Sequence, residues 1–381
     1  MFNRNQSIIV YCTIVAFAIL YEHQPLLPLL AEQWDRSLSD TALLTTVTMI
    51  PLALAPLIYG YVLERISSRR MLISGFGLLL VTQAILSTAP GYSWFIVLRA
   101  IEGLLLPAIF TSLMTYTSAS GGAHHSRRNI SFYIAATIVG GYCGRTITGL
   151  VTDLFDWQTS FWMWSLMALI AVVSLLKLDT DPRGQLMKIS LPEIRELIRK
   201  PVNREGLAAA FLLFFVSAAM MNFLPFRIFE LKPDITTGAM SLVYTGYLVG
   251  AVISVFSTRI IRLFGSERRT LLTAVLVYIS GVFLFMSEQI AMLYFAMLIL
   301  MAGMFSIHSV LSGFLNHLES SRKGMINGLY VSSYYSGGVL GSFLPGLLYQ
   351  SQGWVAFCLL LIGLICLLGL MVWLMPAAGK D

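Results

Sequence analysis

Charge is what this sequence has little of. Of its 381 residues only 12% are Asp, Glu, Lys or Arg, whereas 57% are hydrophobic, and the mean hydropathy is +0.78. A soluble domain carries about twice that charged fraction, so the composition excludes one and describes a polytopic membrane protein. Histidine and cysteine are also scarce, at five and four. Cys12, Cys143, Cys358 and Cys366 all lie in apolar runs with no CxxC pair. They read as small packing residues, and no metal site is expected. No GxxxxGK[ST] stretch is present, which argues against nucleotide-driven chemistry. No HExxH, and no GxSxG with partners, points to an enzyme. The first apolar run is too long for a cleavable signal, and no A-x-A site follows it. The net charge of +6 is explained by positive loops rather than by a nucleic-acid partner.

Twelve long apolar segments fill the chain. They cover about 7–30, 42–63, 71–88, 93–115, 130–154, 160–177, 206–228, 239–261, 270–287, 290–313, 326–349 and 355–375. Each is long enough, or nearly so, to cross a hydrocarbon core of about 30 Å as a helix. With both termini inside, 20 of the 25 Lys and Arg residues fall on the cytoplasmic side, and this asymmetry sets the expected topology. The expectation is therefore an all-α membrane protein of 12 transmembrane helices in two six-helix bundles, residues 1–177 and 206–381. A cytoplasmic linker at 178–205 carries a short amphipathic helix, Leu191-Pro-Glu-Ile-Arg-Glu-Leu-Ile-Arg-Lys200, on the inner membrane surface.

The halves repeat. An offset of 197 pairs Pro28 with Pro225, Arg65 with Arg262 and Trp157 with Trp354. It also pairs Gly140, Gly144 and Gly149 with Gly337, Gly341 and Gly346. A repeat in one orientation implies bundles related by an axis along the membrane normal. The glycines strip one helical face of side chains, so another helix can approach closely. Arg145 stands inside the first glycine run, and Ser342 takes its place in the second. A charge at that depth is a functional candidate.

Three motifs carry a resemblance. Gly60-Tyr-Val-Leu-Glu-Arg-Ile-Ser-Ser-Arg-Arg-Met-Leu72 resembles the loop between segments 2 and 3 of the major facilitator superfamily. Glu64 replaces the usual aspartate, Ser67 the second glycine, and Arg65 and Arg69 match. Arg99-Ala-Ile-Glu-Gly103 resembles that family's R-x-x-Q-G motif, with Glu102 in the glutamine position. Segment 5 resembles its antiporter motif, with Arg145 in place of the proline; that variant is familiar from a subgroup similar to arabinose-efflux permeases, which includes metallophore exporters. The resemblance implies alternating access, with Gly60, Glu64, Arg65 and Arg69 gating the inner side and the arginine at position 99 linked to proton coupling.

Depth adds a further expectation. At about 1.5 Å per residue, Glu22, Glu102 and Arg145 all sit about 12–14 Å below the outer surface. They are expected to form an ion cluster with Arg99 in which the charges cancel. Glu22 and Glu102 are the expected proton carriers, Glu22 first, with His23 and His308 as alternatives. A substrate cavity is expected from His23, Gln24, Met221, Asn222, Tyr244, Tyr247, His308, Asn327 and Tyr334. The functional expectation is a monomeric secondary transporter in a bacterial inner membrane, with no cofactor beyond the proton gradient. It would export a small polar or amphipathic organic molecule, carboxylate-bearing or siderophore-like, by proton antiport. Multidrug efflux, uptake of a siderophore or organic acid, and a transporter-like sensor are the alternatives.

Overall fold

A computed structural model describes residues 4–63, 66–119, 123–178 and 191–375, with side chains described over the same residues except 56–63, 119, 123–128, 130 and 131. Among the described residues there is no strand. The helices are α1 (Arg4–Tyr21), α2 (Leu27–Gln33), α3 (Leu38–Leu63), α4 (Ser68–Leu86), α5 (Tyr92–Ala119), α6 (Ala123–Leu154), α7 (Trp157–Leu175) and α8 (Leu191–Arg199). They continue as α9 (Pro201–Leu231), α10 (Thr237–Ser241), α11 (Gly246–Phe264), α12 (Glu267–Leu284), α13 (Ile290–Leu318), α14 (Lys323–Gly341) and α15 (Leu344–Leu374). Short 3-10 turns lie at Gln24–Leu26 and Leu242–Thr245. Among the described residues ten stretches are long and apolar enough to cross a membrane. The other two of the twelve segments are α12 and α14. The first turn of α12 holds Glu267, Arg268 and Arg269, and α14 is rich in Gly, Ser and Tyr.

The contacts divide the chain into two compact units. One holds the described part of residues 1–186 together with 234–244, and the other holds that of 187–233 together with 245–381. The division departs from the expected boundaries in two places. Helix α8, expected as part of a linker, packs on α9 and groups with the second unit, while α10 packs on α6 and groups with the first.

The internal repeat is visible in the packing. In the first unit α1 pairs with α6, α3 with α5, and α4 with α7; in the second, α9 pairs with α14, α11 with α13, and α12 with α15. The glycines explain the first of these pairings. A Cβ at Gly140 or Gly144 would meet the carbonyl oxygens of Ile14 and Ala18, and one at Gly337 or Gly341 those of Phe211 and Phe215. Both carbonyl pairs are also 197 apart, so the same close backbone approach is built twice. Gly149 differs, lying against Ser241 and Thr237 of α10. Gly346 is buried near the start of α15.

Three segments are not the single helices the sequence suggested. Segment 1 stops at Tyr21 and resumes at Leu27, segment 8 passes through the 3-10 turn at Leu242–Thr245 between α10 and α11, and segment 11 is interrupted between Gly341 and Leu344. A proline accounts for the first and the last. It has no N–H to give the carbonyl four residues back, and it disfavours helical geometry in the residue before it. Pro25 sits where the second half has Asn222, and Pro345 where the first half has Thr148. The partner segments, α9 and α6, run through unbroken.

Outward helix faces are apolar. Leu154, Val255 and Leu263 are among many large side chains left exposed. For a chain this apolar, lipid rather than water is the solvent that fits those faces.

Candidate functional site

The break in segment 1 builds the site. The end of α1 leaves carbonyls without helical partners, as every helix end does. Arg99 of α5 supplies donors to two of them: Nη1 to the Ile19 carbonyl at 3.1 Å and Nη2 to that of Leu20 at 2.9 Å. A guanidinium at a helix C-terminus is also favoured by the helix dipole. The same Nη1 donates to Glu102 Oε2 at 2.6 Å, one turn along α5. It lies 3.6 Å from Glu22 Oε1. Glu22, Arg99 and Glu102 are all fully buried.

Helix α4 completes the group with two residues the sequence reading did not single out. Thr82 Oγ1 donates to Glu102 Oε1 at 2.9 Å. Gln83 Nε2 donates to both carboxylates, to Glu22 Oε1 at 2.5 Å and Glu102 Oε1 at 2.9 Å. The available signal was the pair Thr82-Gln83 in the middle of an otherwise apolar segment. The two acids are therefore held unequally. Glu102 receives bonds on both oxygens, whereas Glu22 Oε2 has no hydrogen-bond partner in the protein.

Arg145 is the correction. Equal depth was expected to bring it into the ion cluster, but depth fixes height in the bundle and not direction around the helix axis. Its Nε donates to Gln24 Oε1 and its Nη1 to the Gly141 carbonyl, each at 2.6 Å. The guanidinium also lies over the rings of Tyr21, at 4.1 Å, and Tyr244, at 5.2 Å. It is buried among them. His23 points elsewhere again, with Nε2 at 2.8 Å from Thr45 Oγ1.

The expected cavity residues of the second unit fall into separate settings. Asn222 Nδ2 donates to the Ser342 carbonyl, freed by the break before Pro345, at 3.1 Å. Met221 is buried in α9, and Tyr247 packs edge-on to Phe305 at 5.5 Å. His308 Nδ1 is 2.9 Å from Tyr330 Oη, and its ring lies 4.9 Å from that of Tyr334, which stacks on Phe214 at 4.0 Å. Asn327 is exposed and accepts from Asn316 Nδ2 at 2.6 Å.

Of the expected gating loop, Glu64 and Arg65 lie outside the described residues, as does the side-chain environment of Gly60. Arg69 donates through Nη2 to the carbonyl of Leu176, at the end of α7, at 2.6 Å. Arg268 makes the equivalent bond to the carbonyl of Trp373 near the end of α15. On the second unit, Glu196 of α8 pairs with Arg322 at 3.0 Å and Lys200 with Glu319 at 2.7 Å. Burial pushes the Glu319 carboxyl up, but bonds from Lys200 and Asn203, with the charges of Lys200 and Arg322, outweigh it and hold the group below its ordinary value. Among the described residues no three His, Cys, Asp or Glu side chains gather as metal ligands.

The profile of the Major Facilitator Superfamily matches residues 9–318. The chain is 25% identical over 371 residues to the inner membrane transport protein YnfM of Escherichia coli, covering 93% of this chain and 87% of that one. It is 23% identical over 346 residues to an uncharacterised MFS-type transporter, YybF, of Bacillus subtilis, covering 89% and 85%. Among solved structures, a mutant of the nucleoside transporter NupG superposes with a TM-score of 0.83 at 11% identity, over 97% of this chain and 99% of that one. The human organic anion transporter MFSD10 does so with a TM-score of 0.74 at 14% identity, over 97% and 99%. With its all-helical repeat and apolar spans, this chain belongs to the Major Facilitator Superfamily and is a multi-pass membrane transporter.

Proposed function

We propose that this transporter is proton-coupled and exports a small polar or amphipathic organic molecule bearing carboxylates, of the siderophore or organic-acid kind, in exchange for protons. On this reading it works in a bacterial inner membrane with both termini cytoplasmic. The observation that carries the coupling is one buried guanidinium shared by two buried carboxylates. With both acids ionised, Glu22, Arg99 and Glu102 carry a net charge of −1, and one proton makes the group neutral. A net charge away from water costs several kcal/mol, so the group has a physical reason to take and release a single proton as its access to water changes. Glu22 is the carrier on this reading, because Glu102 receives bonds on both oxygens from Arg99, Thr82 and Gln83, whereas Glu22 Oε2 receives none in the protein.

A second reading follows from the charge of Arg145. A proton on the triad removes one negative charge from the unit that also buries Arg145, so a proton and an anionic cargo favour each other's binding. That linkage moves both in one direction and supports proton-coupled uptake of an organic acid or chelate. Exchange fits a cargo whose neutral or cationic part competes with the proton.

Mass spectrometry of medium and cells separates the directions, comparing a strain without the protein, its parent, and a strain carrying Glu22→Gln. Export gives a compound missing from the medium of the strain without the protein and accumulated inside it, with the Glu22→Gln strain alike. A medium component that this strain fails to consume reverses the direction. A Glu22→Gln strain that matches its parent removes Glu22 from the mechanism.

A further inference from the structure

Gln83 sits between the two acids, and its amide is used on one side only. Its nitrogen donates to Oε1 of both Glu22 and Glu102. Its oxygen, fully buried, has no hydrogen-bond partner, and neither has Glu22 Oε2. An amide oxygen accepts and an ionised carboxylate oxygen accepts, so these two atoms do nothing for each other while Glu22 is ionised. The one bond Gln83 gives Glu22 is therefore the N–H bond to Oε1, which the ionised carboxylate accepts best.

From this geometry we infer that Gln83 is the positioning residue of the proton site: its amide N–H, bonded to Glu22 Oε1, favours the ionised carboxylate and so sets the pH at which Glu22 takes its proton. The inference rests on the reading of Glu22 as the proton carrier. The charged and titratable groups around the site are Glu22 and His23 from segment 1 and Arg99 and Glu102 from α5, while Arg145 of α6 is turned to Gln24. Helix α7, packed on the other side of α4, carries no ionisable acid or base. Within reach of Glu22 Oε1 the structure therefore gives two favourable influences on the ionised form, the Gln83 bond and the Arg99 charge. Only the first comes from a neutral side chain, which can be removed without changing the charge of the site.

The test uses purified full-length protein in detergent and infrared difference spectroscopy across pH, following the C=O stretch of protonated carboxyl groups. Glu22→Gln identifies the Glu22 band by its loss. Gln83→Met, similar in size and without donor or acceptor, moves the midpoint of that band upward by about one pH unit, because a hydrogen bond to the charged form is lost. Gln83→Asn, which keeps the amide but is too short to span both acids, moves it the same way and serves if Gln83→Met does not fold. A midpoint unchanged in the folded variants overturns the role of Gln83 while leaving Glu22 as carrier. A spectrum in which Glu22→Gln removes no band overturns the carrier, and the role of Gln83 with it.

Discussion

Arg145 shows how far a single residue can be understood from the chain. Its charge inside a glycine-rich apolar run marked it at once, but its partners were not legible, since Gln24 and the two tyrosines reach it only through the break in segment 1 and the packing of α10. The guanidinium works here as a flat plate as well as a charge, lying over Tyr21 while Nε bonds Gln24. Arg145→Lys keeps the charge and loses both features, so it should lower stability by about 1–2 kcal/mol. A melting temperature in detergent equal to that of the parent would show that charge alone matters. Glu22, Arg99 and Glu102 were legible because charges stand out against hydrocarbon. Gln83 was not, because a neutral amide does not, although it touches both acids. At the cytoplasmic end the sign of a pH effect can be fixed. The Glu319 carboxyl is held below its ordinary value, so its contribution is present above the unfolded value of 4.5 and is lost as pH falls through the lower, folded one. Lys200 is 48% exposed, which limits the pair to less than about 1 kcal/mol. The stability gap between the parent and Glu319→Gln should be small at neutral pH and close in acid; a gap that widens in acid would refute the assignment.

Among elements, the prolines and glycines divide the work. The glycine pairs repeat at an offset of 197 and set the same close helix pairing in each unit, which is why the repeat could be read from sequence. The unmatched prolines break that symmetry. Pro25 opens the first unit at a point where Arg99 can bind freed carbonyls and bring Glu102 near Glu22. Pro345 opens the second where Asn222 does the same with a neutral amide. The breaks were not legible because proline is tolerated in membrane helices whenever neighbours satisfy the freed groups, and which neighbours do so is a matter of packing. Gly341→Ala tests the pairing: its methyl would meet the Phe215 carbonyl, and overpacking of this kind costs about 1–3 kcal/mol. A lower melting temperature is expected, and an unchanged one would mean that α9 and α14 are not held so closely.

At the scale of the whole molecule the two units share a plan and differ in chemistry. The first buries two acids and two arginines within its spans. The second has Asn222 and Ser342 where the first has Pro25 and Arg145, and elsewhere a group of rings around His308, Tyr330 and Tyr334. Acids buried in one unit and rings gathered in the other fit the proposed coupling, in which ion and cargo need separate places. That division was visible in the sequence as a difference in the acids within the spans. What the cargo is was not, because rings and amides serve packing and binding alike. The most direct test of the account takes the compound identified by mass spectrometry and measures its movement in everted membrane vesicles when a pH gradient is imposed. The account predicts that the parent protein drives the compound against its gradient, while Glu22→Gln still binds and exchanges it but no longer responds to pH. A Glu22→Gln protein that the pH gradient still drives would contradict it.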